Sequence, residues 1–156
     1  MQARIEYPEF HALLPAAGQA MRSLSVASKD AGLEPALIEL VKIRASQING
    51  CAFCLNMHFA DARKQGERAE RLDLLPAWRE APVYSARERA ALAWTEALTL
   101  ITEGHAPDEV YDEVKRNFSD KEMAALSWAI VNINAWNRIA ISMRFMPQLE
   151  KAATAA

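Results

Sequence analysis

This chain has no run of basic residues, no long apolar segment, only five glycines and only two cysteines. Each shortage excludes something. The 18 Lys and Arg are scattered among 20 Asp and Glu, for a formal charge of −2. Such a surface offers no stripe to a nucleic-acid backbone or an anionic membrane. A membrane-spanning helix needs about 20 consecutive apolar residues, and the sequence contains no such run. The start, Met1-Gln-Ala-Arg-Ile-Glu-Tyr-Pro8, lacks the basic-then-apolar order of a signal peptide, so a cytoplasmic location is expected. Two cysteines cannot build a disulfide framework. In a reducing compartment a Cys-x-x-Cys reads as catalytic or metal-binding rather than as a staple.

What is present suits one domain spanning residues 1–156. Half of the residues are apolar and 24% are charged. A chain of this length buries roughly 70% of its unfolded surface in one core. Apolar residues recur at intervals of three and four, with no alternating strand pattern and no repeat of fixed period. The pattern predicts helices over residues 13–27, 36–48, 51–65 and 67–75, with Pro35 at a favourable first position and Asn49-Gly50 and Gly66 as stops. Residues 36–48 are apolar on almost every side, which marks a buried helix. Ser85-Ala-Arg-Glu88 and Ser119-Asp-Lys-Glu122 are capping boxes. The first opens a helix with Ala91, Trp94, Leu98 and Ile101 on one stripe. The second opens a long helix reaching about Met146, after a short one from Pro107 to Phe118. The tail 151–156 is expected to fray. The fold class is therefore all-α, with six or seven helices and a central antiparallel pair.

Both cysteines and one of the three histidines fall in Cys51-Ala-Phe-Cys54-Leu-Asn-Met-His58. On a helix these intervals place all three side chains on one face. The thiols stand at a helix start, where unpaired N–H groups and the macrodipole lower a thiol pKa. That predicts a reactive thiolate at Cys54, with His58 one turn on to accept its proton and Cys51 nearer the solvent. Attack by Cys54 on a peroxide oxygen would give a sulfenic acid, which Cys51 captures as a disulfide. The two-residue link between helices 36–48 and 51–65 favours antiparallel pairing. At about 1.5 Å per residue, Glu39 and His58 lie roughly 15 and 12 Å from that turn, so they can face each other. A carboxylate in so apolar a helix needs a partner and has its pKa raised if water is excluded. A Glu39–His58–Cys54 relay meets that need.

These residues carry a family likeness. The run Glu39…Arg44-Ala-Ser-Gln-Ile-Asn-Gly50-Cys51-Ala-Phe-Cys54…His58…Gly66 resembles the core of the alkylhydroperoxidase D-like proteins, within the carboxymuconolactone decarboxylase superfamily. The likeness continues through Trp78-Arg-Glu-Ala-Pro82, Glu88-Arg-Ala-Ala-Leu-Ala-Trp94 and Ile133-Asn-Ala-Trp-Asn-Arg138, covering most of the chain. The resemblance implies an all-helical fold that assembles into homo-oligomers, as trimers or hexamers. It also implies a thiol-dependent hydroperoxide reductase with Cys54 peroxidatic, Cys51 resolving, and Glu39 with His58 as proton relay. The implied partners are a hydroperoxide and a thiol reductant, the family's donors including lipoylated proteins. No cofactor is called for. The best-known members carry a histidine just before the second cysteine, where this chain has Phe53.

Other readings of the same residues stay open. The thiols could be small buried hydrophobes, or could bind zinc with His58 and either Glu39 or His105. They could also exchange disulfides generally, or report oxidants without turnover. Glu39 could simply pair with Lys42 or Arg44. His11 and His105 have no supporting neighbours. Trp94, Trp128 and Trp136 suit a core or a subunit interface. For Asn132, Asn134, Asn137 and Arg138, hydrogen bonding between helices comes first and lining a site second.

Overall fold

Pro35 opens and Gly50 closes the helix around which the others are arranged. The computed structural model describes residues 2–149; the expectation for the tail 151–156 lies outside them. Eight α-helices follow in order: α1 (Tyr7–Leu13), α2 (Pro15–Asp30), α3 (Pro35–Asn49), α4 (Ala52–Lys64), α5 (Ala69–Asp73), α6 (Ala86–Thr99), α7 (Asp108–Asn117) and α8 (Asp120–Met143). There is no strand among the described residues, and no helix there is long and apolar enough to cross a membrane.

The expected interior helix is α3, with Leu40, Val41, Ile43 and Ala45 wholly buried. It packs against α4, α6 and α8, while α2 lies on α8 and α7 on α6. Gly50 ends α3 in the left-handed region at φ 68°, and its N–H reaches back to the Ser46 and Gln47 carbonyls. That turn needs a residue without a Cβ penalty, and it reverses the chain directly into α4. Both expected capping boxes form, with Ser85 and Ser119 each accepting from the residue three positions on.

Three differences from expectation bear on the site. The first is α1, an additional helix of seven residues. It is too short to show apolar periodicity and is held by tertiary contacts instead. Arg4 donates its N–H to the Met143 carbonyl at 2.9 Å, tying the segment before α1 to the end of α8. The second is the end of α8, at Met143 rather than near Met146. Arg144 adopts φ 57° there, and the Phe145 N–H closes on the Ala140 carbonyl. The reversal turns Phe145 inward to pack with Cys51, Cys54, Ile133 and Ala140. The third is that the 67–75 helix is only α5, followed by a tight turn at Leu75–Ala77.

Candidate functional site

The Gly50 reversal brings α3 and α4 antiparallel, and Glu39 meets His58 as their spacing requires. Glu39 Oε2 lies 2.8 Å from His58 Nδ1, and both side chains are buried. The other carboxylate oxygen accepts from Lys42 Nζ at 3.0 Å. Burial pushes the Glu39 carboxyl up, but the His58 hydrogen bond and Lys42 outweigh it and hold the carboxyl below its usual range. The expected raised value is thereby corrected: a buried acid with two partners stays ionised. A carboxylate only accepts, so Nδ1 carries the hydrogen, and Nε2 is left to exchange a proton with whatever faces it. Arg44, the other partner considered for Glu39, goes to Glu96 instead, Nε to Oε1 at 2.8 Å.

The thiols depart from expectation in two ways. Cys51 is not exposed: it and Cys54 are each 1% accessible, and both are free thiols. Cys51 is also not inside α4 but is its N-cap, with Sγ accepting the Cys54 backbone N–H at 3.4 Å. The second departure, in the polarity of the pair, follows from that capping. A Cys51 thiolate receives the Cys54 thiol as a donor, then backbone N–H groups of Cys54 and Phe53 and the Asn137 amide, and its pKa falls to about 7 despite burial. Cys54 moves the opposite way, because its proton bonds the Cys51 sulfur and burial beside that charge opposes a second thiolate. The donors that can hold a thiolate, the Cys54 backbone N–H among them, gather on the Cys51 sulfur, which favours the charge of the reduced pair there. Helix-start electrostatics are present, but they focus on the capping residue.

Asn137 was legible in the sequence only as one of several amides on the last helix. It is completely buried. Its Nδ2 donates to Ser46 Oγ at 3.0 Å, and its Oδ1 accepts from Asn49 Nδ2 at 2.9 Å. Asn49 Nδ2 also reaches Asn134 Oδ1 at 2.9 Å. These amides fasten the end of α3, just before the Gly50 turn, to α8. They place the Asn137 amide against both sulfurs.

A cavity of about 190 Å³ opens over this group, with Cys54 and His58 in its wall beside Phe53, Trp136 and Phe145. Cys51 is not among its lining residues. No hydrogen bond joins His58 to Cys54 among the described residues; the two share the cavity instead. Phe53 packs between Tyr7 and Phe145, at ring distances of 5.2 and 5.5 Å. Trp94 is a core residue, Trp128 is exposed, and Trp136 belongs to the cavity. His11 stacks beside Tyr7 and Trp136, and His105 sits in a loop at φ 52°. Among the described residues, the one grouping of three metal-type side chains is Glu39, His58 and Asp61, whose ligand atoms lie within 4.8 Å of one another. It leaves out both thiols, and Lys42 already occupies its carboxylate.

Comparison with known proteins places these features in a wider set. The sequence pattern of the Carboxymuconolactone decarboxylase family matches residues 8–97. The uncharacterized protein YdfG of Bacillus subtilis is 41% identical over 143 residues, which is 92% of this chain and 95% of that protein. A crystal structure from Agrobacterium tumefaciens, of a protein of unknown function described as a candidate antioxidant defence protein AhpD, superimposes with a TM-score of 0.89 at 40% identity. That match covers 96% of this chain and all of the other. A peroxidase-related protein from Ralstonia eutropha, described as an alkylhydroperoxidase AhpD core, shares the fold at a TM-score of 0.76 and 20% identity, over 90% of this chain and 75% of that one.

Proposed function

The chain belongs to the carboxymuconolactone decarboxylase family, as an alkylhydroperoxidase D-like member, and from that premise we propose that it is a thiol-dependent hydroperoxide reductase. The relatives point to antioxidant or peroxidase-related chemistry. The observation that carries the specific reading is the polarised thiol pair beneath a cavity that Cys54 and His58 share.

The reaction begins with the charge on Cys51. As a hydroperoxide enters, Cys51 takes the Cys54 proton, and the Cys54 sulfur attacks the terminal peroxide oxygen. The S–O bond forms as the O–O bond breaks. The departing alkoxide takes a proton relayed from cavity water through His58 Nε2 and leaves as an alcohol. Cys51, now a thiol, attacks the Cys54 sulfenic acid, its proton leaves with the hydroxyl as water, and the disulfide closes. Two electrons pass from the dithiol to the peroxide. Glu39 keeps His58 oriented through that transfer. An external dithiol, such as a lipoyl group or a disulfide-reductase partner, returns the pair to the reduced state. This assigns Cys54 as peroxidatic, Cys51 as base and then resolving thiol, and Glu39 with His58 as the relay.

The test is stoichiometric. Reduced protein mixed with cumene hydroperoxide is expected to lose both thiols for each peroxide consumed, and to turn over when dithiothreitol is supplied. Peroxide left unconsumed under every dithiol reductant would overturn the reading.

A further inference from the structure

The cavity over Cys54 has a lopsided composition. Its apolar wall is Tyr7, Phe53, Met57, Ile133, Trp136 and Phe145. Its ionic side chains other than His58 are Arg22 and Lys42, with no Asp or Glu among the lining residues. Lys42 is committed to Glu39 at 3.0 Å. Arg22 is exposed on α2 and has no carboxylate partner among the ion pairs of the described residues. Gly18, one turn earlier, leaves the room for it: a Cβ there would come within 3.4 Å of Arg22 Nη1 and 2.6 Å of His11 Nδ1. Burial and then the Arg22 charge hold His11 below its usual pKa, which favours its neutral form beside Arg22.

We infer that the cavity takes a small organic hydroperoxide bearing a carboxylate, with Arg22 at the mouth as the carboxylate's partner and the apolar wall around the body. The inference rests on the peroxide chemistry proposed for Cys54 and names the class of substrate. A cavity of about 190 Å³ falls below the roughly 300–1,000 Å³ of sites for drug-sized ligands, so the body is one ring or a short branched chain. A hydroperoxide also carries one O–H donor. Asn132 has a buried Oδ1 without a partner in the wall of the same cavity, its Nδ2 being held by the Met21 carbonyl at 3.0 Å and Ser25 Oγ at 2.8 Å. The chemistry balances as for any hydroperoxide. The Cys54 S–O bond forms, the O–O bond breaks, and the dithiol ends as a disulfide while the substrate leaves as a hydroxy acid with water.

The experiment compares cumene hydroperoxide with its para-carboxylate derivative in single-turnover mixing with the reduced protein at low ionic strength. The carboxylate form is expected to react about threefold or more faster, in keeping with one partly exposed ion pair. That ratio is expected to fall to about one in Arg22→Gln and to shrink with added salt. Calorimetric binding of para-isopropylbenzoate against para-isopropylbenzamide gives a readout that needs no peroxide chemistry. The carboxylate is expected to bind tighter to the wild type and to lose that advantage in Arg22→Gln. Equal rates and equal binding overturn the inference while leaving the peroxidase reading standing. A preference that survives in Arg22→Gln overturns Arg22 as the partner. Thiols that neither hydroperoxide oxidises overturn the peroxidase reading instead, and calorimetry still decides whether the carboxylate is recognised.

Discussion

Cys51 caps the helix that carries Cys54, its sulfur accepting the Cys54 backbone N–H at 3.4 Å. A single residue thus sits where the orphan donors of α4 converge, while its neighbour one turn on faces the cavity. The proposed division of labour follows from that contact: one sulfur collects the donors and the other faces the cavity.

The first consequence is a pH dependence of stability. In the folded reduced chain Cys51 ionises near pH 7, against an ordinary value of 9.0. Between those values the unfolded chain binds more protons, so stability rises with pH. Cys54 is displaced upward from 9.0. Above that pH the unfolded chain releases a proton that the folded chain keeps, and stability falls again. The disulfide form has neither thiol. The melting temperature of reduced minus oxidised protein is expected to climb from pH 7 to about 9 and decline beyond. A difference that is flat across this range would rule out the polarised pair.

Asn137 is expected to act on the sulfurs and not only on packing. Asn137→Ala leaves Ser46 without its buried partner and Asn49 with Asn134 alone, at a cost of about 1–3 kcal/mol in urea unfolding. Loss of the amide also raises the Cys51 pKa. Iodoacetamide alkylation rates followed against pH, with the labelled cysteine identified by mass spectrometry, separate the two effects. A purely structural role leaves the alkylation profile where it is.

Glu39→Gln keeps the shape of the side chain and removes the charge that fixes His58. Single-turnover peroxide consumption is expected to slow by about 10²-fold, at the lower end of what positioned proton transfer contributes. Thiol loss should still reach completion, since both sulfurs remain. A rate within about twofold of wild type would mean that the Glu39–His58 pair is structural.

Arg144 ends α8 at φ 57°, a conformation that suits glycine better than any residue with a Cβ. Arg144→Gly is therefore expected to stabilise the fold by roughly 0.5–1 kcal/mol in chemical denaturation, relief of the left-handed strain outweighing glycine's greater freedom in the unfolded chain. It should do so without altering the thiol titration, because the backbone path that delivers Phe145 is retained.

Much of this was legible in local pattern. The Glu39–His58 meeting follows from a two-residue turn and the rise of a helix, and both capping boxes form where Ser85 and Ser119 stand. What was not legible depends on segments distant in the chain. Asn137 reaches Ser46 across 91 positions, and Asn49 across 88. Tyr7 and Phe145 close the cavity from opposite ends of the chain, through an α1 too short to announce itself and an α8 that stops early to turn Phe145 inward. The polarity of the thiols was misjudged for a different reason. Spacing places both at a helix start, but whether Cys51 is the cap or the first helical residue depends on one residue of register.

The most direct measurement is trapping of sulfenic acid with dimedone in Cys51→Ser and Cys54→Ser after one equivalent of cumene hydroperoxide, read by mass spectrometry. The account predicts an adduct at Cys54 in Cys51→Ser, formed more slowly than the wild type loses its thiols because the base is gone, and no peroxide consumption by Cys54→Ser. An adduct at Cys51 in Cys54→Ser, formed as fast as the wild type loses its thiols, would contradict it.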